Sequence, residues 1–152
     1  MTDRCVTHAT FSLERTYDRP VAEVFAAWAE PSAKARWFSV PGAEHQLEFR
    51  VGGREVVRSP REGRAALTFD SRYQEIVPGQ RIVYSSALSD GDTVATVSIT
   101  TVEFTAEGSR TRLRLTESGA FLDGLELPTW REQGTSSWLD ALGAELQRPP
   151  AP

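Results

Sequence analysis

Few side chains in this sequence are able to move protons, attack a carbonyl or hold a metal near neutral pH. There are two histidines, His8 and His45, one cysteine, Cys5, and carboxylates spread along the chain. His45, with Glu44 beside it, has the titration range of a general base. Neither histidine falls in an HxxxH or HExxH spacing, and no GxSxG nucleophile elbow accompanies them. One cysteine cannot close an intrachain disulfide or build a Cys-rich zinc site. Glu75, Glu103 and Glu117 fall on different predicted strands, and spacing alone leaves open whether any two converge. Gly52-Gly53 reads as a tight turn, because no GxGxxG or GKS/GKT surrounds it to cradle a phosphate. No catalytic residue, metal site or cofactor is therefore assigned from these groups.

Aromatic rings are the richer resource. Trp28, Trp37, Phe38, Phe69, Tyr73, Tyr84, Phe121, Trp130 and Trp138 are candidates to line a ligand pocket, with rings giving area and tyrosine hydroxyls orienting a polar group. The plainer alternative for each is packing in a filled core, where deleting one ring costs roughly 3–5 kcal/mol. Glu48 and Arg50 stand two apart on one strand face. They are the candidate polar pocket groups, Arg50 gripping a ligand carboxylate in the bidentate geometry arginine favours. The alternative is a solvated pair on the outer face.

Positioning such residues takes a scaffold, and the hydrophobic pattern sketches one. Phe11, Leu13 and Tyr17 share a parity and predict a strand over about 7–17. Asp18-Arg19-Pro20 opens a helix in which Val21, Val24, Phe25 and Trp28 form an amphipathic stripe. Glu30-Pro31 restarts the pattern into a second short helix over Ser32–Phe38. From His45 to about Thr116 the period is that of a sheet. Leu47, Phe49 and Val51 alternate into the Gly52-Gly53 turn, and strands follow over 54–59, 65–77, 81–88, 94–104 and 110–117. Val97 and Ile99 lie on one parity and Val102 and Phe104 on the other, which predicts a bulge near Thr100-Thr101. A last helix over about 129–148 puts Leu127, Trp130, Gly134, Trp138, Ala141 and Leu142 along one face. A continuous antiparallel sheet needs one face covered, and only this helix is long enough to cover it.

Composition agrees with a folded domain. The 152 residues approach the usual size of one core, about 150 residues as a prior. Apolar residues make up 39% and charged residues 25%, too apolar for a disordered chain. A net charge of -4 argues against a polyanionic partner, so no nucleic acid is expected. No apolar run approaches a membrane span and the N-terminus lacks the pattern of a secretory signal, so the expected place is the cytoplasm, with no membrane partner. Basic residues are almost all arginine, and Lys34 is the single lysine.

The order of elements, and the residues within them, resembles the START-like (SRPBCC) superfamily and its helix-grip fold. The chain is most similar to the branch named after activator homologues of the heat-shock chaperone ATPase. The carrying segments are ERTYDRPVAEVFAAWAEPSAKARWF, LEFRVGGR, SRYQEIVPGQRIVYSS and VSITTVEFTAEGSRTRLRLTESG, together with Trp138. Within them the matching positions include Pro20, Val24, Phe25, Trp28, Pro31 and Trp37, then Arg50, Gly52 and Gly53, then Glu75, Pro78 and Arg81, then Thr111, Leu113 and Leu115. Glu48 stands where the family usually has Asp, and Gly79 replaces a proline. The resemblance implies an α+β fold in which a curved antiparallel sheet wraps a long C-terminal helix, over a single domain 1–148, followed by a disordered Pro-rich tail 149–152. It also implies a cavity between sheet and helix for a hydrophobic small molecule. Binding or carriage of that molecule is the leading expectation. One alternative is a cyclase, dehydratase or hydrolase using the same cavity, with Glu48, His45, Tyr73 or Tyr84 as its titratable group. The other is a co-chaperone-like interaction module. A second copy of the chain is a further candidate partner.

Overall fold

A computed structural model describes residues 4–149. It contains the strand β1 (Val6–Tyr17), two short helices α1 (Val21–Ala29) and α2 (Pro31–Trp37), and six further strands. These are β2 (Glu44–Leu47), β3 (Arg54–Arg61), β4 (Arg64–Val77), β5 (Arg81–Asp90), β6 (Thr93–Glu107) and β7 (Arg110–Leu122). The helix α3 (Pro128–Leu146) follows. The strands form one antiparallel sheet in the order β1-β7-β6-β5-β4-β3-β2, a meander closed at one edge by the first strand lying against the last. This is the α+β helix-grip arrangement: a curved open sheet, a long C-terminal helix, and two short helices after the first strand. Residues 1–3 and 150–152 fall outside the described part, and with them most of the expected Pro-rich tail. Among the described residues no helix is long and apolar enough to cross a membrane.

Local sequence explains the boundaries. Pro20 sits at the N-cap of α1 and Pro31 opens α2, where a missing N–H costs nothing. Pro128 opens α3 in the same way. Gly79, at φ +71°, turns β4 into β5 after Pro78. The core gathers Val24, Trp28, Ile82, Val102, Leu113, Leu139 and Leu142, all within 2% of full burial. α3 is held to the sheet by the β1 end: the Tyr17 hydroxyl donates to the Leu139 carbonyl at 2.8 Å and Arg19 Nε to the Leu146 carbonyl at 3.1 Å.

Three expectations need correcting. β2 ends at Leu47, so Phe49 and Val51 lie in a wide turn and not on a strand. Gly53 permits this close turn, since a Cβ there would stand 2.2 Å from the Glu48 carbonyl oxygen. The turn drops Phe49 edge-on against Phe25 and Tyr73, at 5.7 and 5.1 Å between ring centroids.

The expected bulge at Thr100-Thr101 is absent: β6 and β7 pair without a break from Thr96 to Glu107. The irregularity lies instead at Ala95, the extra residue opposite Leu88-Ser89. Hence Thr96, Ser98 and Thr100 face inward and are buried, while Val97 and Ile99 face outward at 48% and 58% exposure. Finally, Trp130 is 57% exposed and the buried side of the first turn of α3 carries Arg131.

Candidate functional site

Between the inner face of the sheet and α3 lies a cavity of about 420 Å³. One wall is aromatic. Trp28 and Trp37 come from α1 and α2, Phe38 from the end of α2, Phe69 from β4, and Trp130 and Trp138 from α3. All four tryptophans of the chain therefore border one space. Most of these rings meet edge to face: Trp28 with Trp37 at 4.8 Å, Trp37 with Phe38 at 5.5 Å, Phe38 with Phe69 at 5.7 Å. Trp37 Nε1 donates to the Ala27 carbonyl at 2.9 Å. The Trp28 indole N–H is buried with no partner among the described residues.

The opposite end of the cavity is polar. Arg131, on the first turn of α3, sends Nε and Nη2 to Glu126 (Nη2 to Oε1 at 2.8 Å) and Nη1 to Glu117 Oε2 at 3.1 Å. Thr100 donates to Glu117 Oε1 at 2.7 Å and Thr96 to Glu126 Oε1 at 2.6 Å. The inward parity of β6 supplies both threonines, and β7 supplies Glu117 from the neighbouring strand. Burial works against the charge of Arg131, but the hydrogen bonds to Glu126 and the charge of Glu117 outweigh it and hold its pKa above the ordinary value. Tyr84 also lines the cavity. Burial, then the nearby Glu117 carboxylate, pushes its phenol upward, so it stays a neutral hydrogen-bonding group and not a base.

Behind the aromatic wall sits a second polar cluster, closed off from the cavity. Lys34 is 1% exposed, with Nζ 2.8 Å from Glu55 Oε1 and 4.5, 4.9 and 5.4 Å from the ring centroids of Phe38, Trp28 and Trp37. His45 Nε2 lies 2.8 Å from Glu55 Oε2, and the Tyr73 hydroxyl donates to Oε1 at 3.4 Å. Burial opposes ionisation of Glu55. The Lys34 ammonium and the His45 hydrogen bond overcome that and leave the carboxyl below its ordinary range. Burial lowers the pKa of Lys34 in turn, against the raising effect of the Glu55 charge and hydrogen bond, and the 2.8 Å contact pairs the two as ammonium and carboxylate. The cluster fixes three rings of the cavity wall without entering it.

Glu55 thus binds its proton less readily in the folded than in the unfolded chain. Its stabilisation is full above the ordinary carboxylate pKa of about 4.3 and lost as pH falls through the lowered folded value. Urea midpoints measured from pH 7 down to pH 3 are expected to show this acid-side loss in the native chain. The slope should shrink in Glu55→Gln, and equal slopes would refute the assignment.

The sequence-based candidates separate cleanly. Trp28, Trp37, Phe38, Phe69, Tyr84, Trp130 and Trp138 border the cavity. Tyr73 and Phe121 are buried elsewhere, Tyr73 against Glu55. Glu48 and Arg50 pair with each other at 3.1 Å, with both side chains at least 60% exposed, and do not reach the cavity. The expectation of Arg50 gripping a ligand is withdrawn, because β2 ends before them and the turn carries them to solvent. His45 is spent on Glu55, so of the titratable groups named for an enzyme only Tyr84 borders the cavity.

Sequence patterning by hydrophobicity does not reveal Glu126 and Arg131, and it leaves Glu117 without a partner. Their signal lay in the parity of β6: three hydroxyl residues at 96, 98 and 100 alternate as regularly as the apolar residues beside them. Among the described residues no three His, Cys, Asp or Glu side chains converge as a metal site would need.

Comparison with known proteins fits this architecture. The protein Mll3558 from Rhizobium loti is 44% identical, superposes with a TM-score of 0.87, and is matched over 93% of this chain and 99% of that one. An uncharacterized protein from Rhizobium leguminosarum is 38% identical at a TM-score of 0.92, over 97% of this chain and 100% of that one. CalU16 from Micromonospora echinospora shares the fold at 21% identity and a TM-score of 0.66, over 97% and 87% of the two chains. No curated protein matches. Residues 18–147 match the family described as activator of Hsp90 ATPase homolog 1-like protein, and a match over most of the chain places this protein in that family.

Proposed function

We propose that the protein binds a hydrophobic small molecule in the cavity between the sheet and α3. The observation that carries this is a space of about 420 Å³ left open among large rings. Filled protein cores pack nearly as tightly as organic crystals, with few voids larger than a water molecule. Here the rings leave a space partly open to solvent, with Trp130 57% exposed on its lining, which a ligand can enter. The volume also falls in the range of roughly 300–1,000 Å³ that small-molecule sites occupy. Apolar burial supplies most of the affinity, at about 25 cal/mol per Å². The polar end at Arg131 orients the occupant.

Gly134 gives the reading a direct test. It lies in α3 at the exposed rim of the cavity, where a Cβ would meet nothing within 4 Å, so a longer side chain there can fold over the mouth. Leucine at this position grows into open space and removes a helix-interior glycine, which costs a helix about 1 kcal/mol. Gly134→Leu is expected to keep or raise thermal stability while weakening an uncharged solvatochromic dye, Nile red, by at least about tenfold, or roughly 1.4 kcal/mol. Arg50→Ala, on the exposed turn, should leave the dye unaffected. Native-like dye binding by Gly134→Leu would sink the proposal.

A further inference from the structure

The hydrogen bonds at the polar end of the cavity indicate what kind of molecule it accepts. The inference rests on the cavity being a ligand site. A guanidinium recognises an incoming carboxylate by offering two parallel N–H groups. In Arg131 the Nε/Nη2 edge is already taken by Glu126, and Nη1 is committed to Glu117, with Ser98 Oγ at 3.5 Å. These bonds use four of the five N–H groups, so an anionic ligand could meet only the second N–H of Nη2, and a two-pronged grip would displace one of the protein's own carboxylates.

Acceptor capacity, by contrast, is left over. Each carboxylate oxygen accepts about two hydrogen bonds. Glu117 Oε1 receives one from Thr100 and Oε2 one from Arg131. Glu126 Oε2 receives one from Arg131 Nε. Two carboxylates face one guanidinium in this cluster, and the other cation on the lining, Arg61, is tied to Asp90 at 2.7 Å and to the Ala65 carbonyl, so the polar end itself is left with an excess of negative charge. Trp138 and Trp130 add ring faces that attract cations over anions.

We infer that the cavity selects an apolar amine, a molecule whose hydrophobic body fills the aromatic end and whose ammonium donates to Glu117 and Glu126, and that it rejects the matching carboxylic acid. This reverses the specificity that a buried arginine suggests at first sight, because Arg131 is neutralised, and more than neutralised, from within.

Three probes with one ring system and different heads test it: naphthylmethylamine, naphthalenemethanol and naphthoate, each titrated calorimetrically into the intact protein at neutral pH. The amine is expected to bind at least about tenfold tighter than naphthoate, as a charge-assisted hydrogen bond supplies, with the alcohol between. In Glu126→Gln, at the more exposed edge of the cluster, the preference for the amine over naphthoate should fall several-fold while the alcohol is little changed. Glu117→Gln provides the same comparison from the sheet side. Naphthoate binding as tightly as the amine, with the alcohol also bound, would overturn the ligand class and leave the cavity reading standing. Failure of all three probes together with Nile red would overturn the cavity reading and this inference with it. An amine preference that survives both glutamine variants would also refute the assignment.

Discussion

Replacing Lys34 by methionine is expected to cost about 3–5 kcal/mol of folding stability, the usual penalty for stranding one partner of a buried ion pair. Glu55 would remain 1% exposed with only His45 and Tyr73 to satisfy it. The three rings around the ammonium would also lose a cation held within about 5.5 Å of their centroids. Urea denaturation at neutral pH measures the loss. The companion variant, Lys34→Met with Glu55→Gln, removes both charges and is expected to recover a large share of it, because the pair itself gains little net energy over a neutral arrangement. A single Lys34→Met variant within about 1 kcal/mol of the native chain would mean that Glu55 is not held as a buried carboxylate.

Arg131→Met is the second large effect, again about 3–5 kcal/mol, since it leaves Glu117 and Glu126 facing each other across the cavity end. Lysine is a sharper comparison. Its single ammonium keeps the charge, but it cannot hold Glu126 through Nε and Nη2 while reaching Glu117 through Nη1. Arg131→Lys should therefore fall between the native chain and Arg131→Met in urea midpoint. Adding Glu117→Gln to Arg131→Met should recover part of the loss, because Glu126, at 15% side-chain exposure, reaches water more easily than Glu117 at 6%. If lysine matched arginine, the fork geometry would contribute nothing and the cluster would be a matter of net charge alone.

The scaffold was legible because its signals are local and repeated. Prolines 20 and 31 mark helix starts, the Pro78-Gly79 turn separates two strands, and alternation along β1 and β7 sets which residues face in. The cavity was legible in part: rings at 28, 37, 38, 69, 84, 130 and 138 were named and border it. Its polar end was not, for a physical reason. Reading strands by hydrophobicity assumes that the inner face is the apolar one. On β6 the inner face is Thr96, Ser98 and Thr100 while Val97 and Ile99 look outward, so a bulge was needed to rescue an assumption that fails there. Polar residues can line an interior when they satisfy one another, as these threonines do with Glu117 and Glu126. Lys34 hid for a related reason. A lone lysine reads as a solvated one, and its partner Glu55 lies on another element, paired only once the chain has folded.

The order of strands in the sheet also dictates the sequence of events on the ribosome. β2 to β7 are joined by successive hairpins and can zip together as they emerge, each strand finding its neighbour within a short loop. β1 is synthesised first but pairs with β7, Val6 against Leu122 and Tyr17 against Thr111. It must wait, unpaired, until almost the whole chain has been made, and the entropy of closing so long a loop falls due at the end. The first strand of the sheet in chain order is the one that completes it. A nascent chain stalled before Arg110 would lack β7, leaving β6 as a raw edge and β1 without its partner strand.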